Sequence, residues 1–137
     1  MIDLDDLTKF TVGSGDLVEK TVEFEDLSTG KKHQAKVMVR VMSYAESLSL
    51  NKAYRVTADP DDETKQTVEV VNETLVRAAS IYHCVYKPNG DKLFASIEQA
   101  ETLTPAFGHA LYAAVSEVNY AGKSAKPSSK PTKPSPT

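Results

Sequence analysis

The adjacent pair His83-Cys84 is, by residue type, the best candidate for nucleophilic chemistry, since an imidazole can deprotonate a thiol. Neighbours in sequence point their side chains apart, however, and no acid is spaced to orient the imidazole, so Cys84 reads as a half-buried structural thiol. His33 and His109 show no HxH or HExxH spacing, with each other or with His83, that would bring two imidazoles to one metal ion. Asp59-Pro60-Asp61-Asp62-Glu63 has the oxygen density of a calcium loop, but a loop starting at Asp59 would need glycine and glutamate where Thr64 and Val70 stand. Gly122-Lys123-Ser124 matches the end of a phosphate-binding loop, yet the glycine required five residues before Gly122 is Glu117. Gly13-Ser14-Gly15 lacks the third glycine of a dinucleotide fingerprint, Val18 occupying that place. No catalytic, cofactor-binding or metal-binding residue is assigned, and the chain reads as a binding protein rather than an enzyme.

Composition agrees with that assignment. At 137 residues, 40% hydrophobic and 26% charged, the chain has the material for one ordinary globular core and not for two. The net charge of −3 is unevenly spread. Residues 1–120 hold 12 Lys/Arg against 19 Asp/Glu, while residues 121–137 hold four lysines and no acid. An acidic body opposes primary binding to nucleic acid, which needs cations grouped against phosphates. No apolar run approaches the roughly 20 residues that span a bilayer, and the start Met1-Ile2-Asp3-Leu4-Asp5-Asp6 lacks the basic and apolar segments of a signal peptide. With a single cysteine there is no internal disulfide. The expectation is a cytoplasmic protein without membrane or nucleic-acid partners.

The elements that would position any site follow from periodicity. Residues 1–16 read as a flexible arm with one helical turn over Leu4–Phe10. Val18, Val22 and Phe24 alternate with polar residues, Lys20 being the exception, which predicts a strand over 18–25. A turn at Ser28-Thr29-Gly30-Lys31 and the alternation of Val37, Val39 and Val41 complete a β-hairpin. Ser43-Tyr44-Ala45-Glu46 fits a capping box and opens a helix expected to reach Val56. The acidic cluster at 59–62 reads as a loop or first helical turn. Val68, Val71, Leu75, Ala78 and Tyr82, spaced by three and four, predict a second helix over 64–82 with that stripe in the core. Val85-Tyr86 and Leu93-Phe94 flank Asn89-Gly90 as a second short hairpin. Ser96 caps a short helix to Leu103, and Thr104-Pro105 starts a last one to Tyr120, with Phe107, Leu111, Val115 and Val118 inward. The fold class is α+β: two hairpins packed with about four helices, because no βαβ repeat is present. The globular part is residues 17–120. Residues 121–137 offer no large apolar side chain and four prolines, and read as a disordered tail. Its lysines, Lys123, Lys126, Lys130 and Lys133, are the candidate partner contacts.

The succession Val22-Glu23-Phe24, Thr29-Gly30-Lys31, Val37 through Glu46, Leu75 through Ser80, Pro88 through Phe94 and Ala114 through Asn119 resembles the tail assembly chaperones of long-tailed, siphovirus-type bacteriophages. The likeness covers roughly residues 17–120 and lies in the order of the pieces more than in any one of them. It implies a homo-oligomeric, non-enzymatic assembly factor, made in the host cytoplasm and absent from the mature virion. Such a factor coats the tape measure protein and recruits tail tube protein. Many family members are also made in two lengths by ribosomal frameshifting, and Gly122-Lys123 is a dipeptide that a slippery run of G and A would encode. The competing assignment is a virion structural protein of the tail or head-tail joint.

Overall fold

The computed structural model describes residues 1–13 and 16–120. The tail expected over 121–137, with Lys123, Lys126, Lys130 and Lys133, lies outside the described residues, as do Ser14 and Gly15. The fold is α+β, as the sequence indicates. A 3-10 helix over Leu4–Lys9 precedes β1 (Val18–Asp26), which pairs antiparallel with β2 (Lys31–Val39). Gly30 takes φ 74° between them, a left-handed conformation that side chains resist. Along this hairpin even positions of β1 turn inward: Val22 is buried and Phe24 packs on Phe107 with ring centroids 4.5 Å apart. Lys20, the break in the alternation, also lies on that side, and its Nζ stands 3.2 Å from Glu117 of the last helix. Glu19, Thr21, Glu23 and Glu25 face Met38, Lys36, Gln34 and Lys32 on the other, largely solvated side.

The capping box is formed as read. Ser43 Oγ accepts from the Glu46 N–H at 3.1 Å, and Glu46 Oε1 accepts from the Ser43 N–H at 2.9 Å. The helix it opens, α1 (Tyr44–Ser49), is far shorter than expected and passes through a 3-10 turn (Leu50–Ala53) into a strand. Residues 54–56, expected in the helix, belong to β3 (Tyr54–Asp59), because the aromatic Tyr54 and the β-branched Val56 and Thr57 prefer an extended backbone. The acidic cluster is the turn into β4 (Asp62–Val70), which pairs antiparallel with β3. The helix predicted over 64–82 therefore starts only at residue 73. Asn72 caps α2 (Glu73–Cys84), its side chain accepting from the Leu75 N–H at 3.0 Å. Val68 and Val71, assigned to the core stripe, are exposed.

The second predicted hairpin is corrected too. β5 (Val85–Tyr86) joins the first sheet beside β2, and the return strand is reduced to a single bridge, Tyr86 to Lys92. Gly90, at φ 95°, makes the turn. Ser96 caps α3 (Ile97–Glu101) through the Gln99 N–H. Pro105 occupies the first turn of α4 (Pro105–Asn119), but the Thr104 side chain makes no capping hydrogen bond. α4 lies across the β1–β2 face and α2 packs between α4 and α3. The core they close contains Val22, Val37, Val39, Ile81, Leu111 and Val115. Cys84 is fully buried in it, not half-buried.

Candidate functional site

Two features stand outside this core. The first is a polar cluster where β2 meets α1. Arg40 donates through both terminal nitrogens to the two Glu46 carboxylate oxygens at 2.8 Å, and through Nε to Tyr86 Oη at 2.9 Å. The guanidinium above all, helped by the Ser43 N–H, holds the Glu46 carboxyl down from its usual 4.5 to about 2, against the opposing effect of burial. The same hydrogen bond raises Arg40. His83 Nδ1 lies 3.4 Å from Glu46 Oε2, so an acid does sit beside the imidazole, brought there by a fold the sequence spacing does not reveal. Burial nevertheless pushes His83 below its usual value, with Lys92 and Arg40 adding to the shift against the pull of Glu46. Burial pushes the Cys84 thiol up to about 11, away from the thiolate form, and Sγ faces Asn119 Nδ2 at 3.9 Å. Among the described residues no group of three or more His, Cys, Asp or Glu side chains is placed to hold a metal. Nor is any described helix long and apolar enough to cross a membrane.

Because Glu46 is depressed in the fold, its contribution to stability is complete above about 4.5 and is lost as pH falls toward about 2. Glu46→Gln keeps the side-chain shape and removes the charge. The stability gap between wild type and variant is expected to be widest at neutral pH and to narrow steadily through that acid range, measured by urea denaturation at several pH values. A gap independent of pH would contradict an ionised, Arg40-held Glu46.

The second feature is the β3–β4 ribbon. Its register sets Tyr54 opposite Val70 and Val56 opposite Val68 on one face, and Arg55 opposite Glu69 and Thr57 opposite Thr67 on the other. Side chains directly opposite across a ladder share a face, so one side of the ribbon is apolar and the other polar. The polar side carries the Arg55–Glu69 ion pair at 3.4 Å. The apolar side is uncovered, Val56 being 57% and Val68 62% exposed. The ribbon is tied to the body at its root, where the Ala53 carbonyl accepts the N–H groups of both Val71 at 2.8 Å and Asn72 at 3.2 Å. Two strands alone are marginal in water, and an apolar ribbon face gains from being covered. The sequence reading missed this surface because it placed Val68 in a buried helix; the Val68/Val70 alternation is the signal that marks it.

These features define a small α+β protein whose most distinctive surface is an uncovered apolar β-ribbon, of the kind by which proteins take hold of other polypeptides. A family model described as "Phage tail assembly chaperone, TAC" matches residues 6–119, and the chain belongs to that family. A search of curated proteins found no match, and a search of solved structures found none.

The segments whose order carries the family likeness also meet in space. Asn119, at the end of α4, accepts the Met42 N–H through Oδ1 at 2.8 Å and donates through Nδ2 to the carbonyls of Arg40 at 3.2 Å and Val115 at 2.9 Å. The β2–α1 connection with its Arg40, Ser43 and Glu46 is thereby tied to the last helix. This cluster ties the β2–α1 connection to the end of α4 and takes no residue from the ribbon.

Proposed function

We propose that this chain is a non-enzymatic tail assembly chaperone that binds the tape measure protein along its length, keeps it soluble and helps bring tail tube subunits to it. It acts in the host cytoplasm and is absent from the mature virion. The observation that carries this assignment is the apolar face of the β3–β4 ribbon, Tyr54 and Val56 opposite Val70 and Val68, standing clear of the core. An uncovered apolar strip suits the apolar stripe of an amphipathic helix, the form expected of a long tape measure protein. Membership of a tail assembly chaperone family supports the same assignment.

The test is co-expression with helical fragments of the phage's tape measure protein, followed by affinity measurement. Val56→Lys with Val68→Lys is expected to weaken binding by about tenfold or more, a loss of about 1.4 kcal/mol or greater. Thr57→Lys, on the opposite face, should bind as wild type does. Both variants should keep the wild-type circular dichroism spectrum, since neither face is in the core. Equal binding by all three proteins would remove the ribbon from the proposal. Finding the chain stoichiometrically in purified virions would favour a structural subunit of the tail or head-tail joint instead.

A further inference from the structure

α4 ends beside Tyr120, and from there the chain continues through residues 121–137 with Lys123, Lys126, Lys130, Lys133 and no acid. That exit lies near the root of the ribbon's apolar face. The Tyr120 hydroxyl is raised from its ordinary value by burial first and then by the neighbouring phenols of Tyr112 and Tyr54, and Tyr54 is the residue opposite Val70 at the base of the strip. At the far end of the same ribbon Asp59, Asp61, Asp62 and Glu63 make up the β3–β4 turn and its flanks. None of these four carboxylates makes an ion pair among the described residues. The ribbon's two cations, Arg55 and Lys65, fall by alternation on its polar side, Arg55 paired with Glu69.

We propose that residues 121–130 of each chain run along the apolar face of the chain's own ribbon and set Lys126 and Lys130 against the acidic turn, covering the strip until a polypeptide with larger apolar side chains displaces them. The lengths match. Strand β3 rises about 17 Å from Tyr54 to Asp59. The six residues from Tyr120 to Lys126 span about 19 Å in the extended form that a proline-bearing segment favours, so Lys126 arrives where the carboxylates are. Ala121, Gly122, Ser124 and Ala125 are small enough to pass close over Val56 and Val68, and Pro127 adds an apolar ring.

Charge selects this surface over the groove at the β1–β2 turn. There Glu25 and Asp26 already face Lys32 and Lys31, and the length of α4, about 22 Å, separates the groove from Tyr120. The short tether selects the chain's own ribbon over a neighbour's. It holds the lysines near the turn at an effective concentration in the millimolar range, which a second copy in dilute solution does not match. The cover is weak, because the segment buries little apolar area and exposed ion pairs contribute little. A partner helix therefore displaces it, with an apparent affinity reduced in proportion to the time the strip spends covered. The contact itself stands on the ribbon and the segment, while its role as a cover rests on the chaperone assignment.

The experiment is paramagnetic broadening in the full-length, 15N-labelled chain, with a nitroxide on the thiol introduced by Ser128→Cys; Cys84 is fully buried and so shielded from the reagent. The amides of Val56 and Val68 are expected to lose at least threefold more intensity than that of Gly30 in the β1–β2 turn, equally at every protein concentration, and less as salt is raised. Lys126→Glu with Lys130→Glu should abolish the difference, as should Asp61→Lys with Glu63→Lys at two exposed positions, and the four substitutions together should restore it. Ribbon amides no more broadened than Gly30, broadening that disappears on dilution, or charge reversals without effect would each overturn the proposal. Affinity for helical tape measure fragments then tests the cover. The unlabelled Lys126→Glu, Lys130→Glu chain should bind them at least threefold more tightly than wild type, and equal affinity would overturn the covering role. Fragments bound by neither protein would sink the chaperone assignment, and the cover with it, while the broadening decides the contact independently.

Discussion

Val115→Asp is expected to leave the chain unfolded at room temperature. Val115 is fully buried on α4, the helix that covers the β1–β2 face and packs against α2, so it stands where three elements meet. Its removal forfeits about 2 kcal/mol of apolar burial. The new carboxylate finds no cation in a cluster made of Val22, Val37, Val39, Ile81 and Leu111, and burying it unpaired costs several kcal/mol more. The sum, about 5 kcal/mol or greater, is comparable with the whole stability of a small domain, roughly 5–15 kcal/mol. Urea denaturation followed by circular dichroism measures it, with Val68→Asp on the exposed ribbon as the control. Equal stability of the two variants would mean that α4 presents a different face to the sheet.

Asn119→Ala is the second large effect, expected to cost about 3 kcal/mol. The loss is that of groups left behind: the Met42 N–H and the Arg40 carbonyl, half-buried, each lose the partner that Asn119 supplies. Asn119→Asp sharpens the test. One carboxylate oxygen can still accept from Met42, but the other then faces the carbonyls of Arg40 and Val115 where an N–H donor is required. The ionised form is disfavoured there, so the carboxyl's folded value lies above its usual one of about 3.9. A raised value contributes stability below the unfolded value and loses it as pH rises. Asn119→Asp should therefore match Asn119→Ala at neutral pH and gain on it as the solution is acidified, both proteins having the same Glu46. If the two variants keep a constant difference across pH, the amide is not oriented as described.

The parts of the fold that were legible in the sequence are those in which local pattern and tertiary environment ask for the same thing. Val22 and Phe24, then Val37 and Val39, alternate because one face of the first hairpin is buried and the other wet. Ser43 and Glu46 satisfy each other's backbone whatever surrounds them, so their spacing alone identified the helix start. Phe107, Leu111, Val115 and Val118 keep one period from end to end of α4.

The ribbon was not legible for a specific reason. Val68 belongs to a strand and Val71 to the link after it, yet their distances to Leu75 and Ala78 mimic a helix, and the stripe runs across a real boundary at Asn72. Lys20, the exception in the first strand's alternation, is a charge on an inward position made tolerable by Glu117, which is remote in sequence. The polar cluster was invisible for a similar cause. Arg40 and Glu46 are near in sequence, but His83, Tyr86 and Asn119 reach them only through the packing of α2, β5 and α4.

The Ala53 carbonyl holds both ends of the ribbon at one point. A loop whose two ends are already joined costs the body little if its contents are exchanged, because no core residue and no chain path depends on what lies between them. Residues 54–70 therefore behave as a cassette. They could be shortened to a tight turn, or replaced by a ribbon with different side chains on its bare face, while α1, α2 and the sheet stay as they are. On the function proposed above, partner choice and foldability are encoded in separate stretches of this chain, and one can change without renegotiating the other.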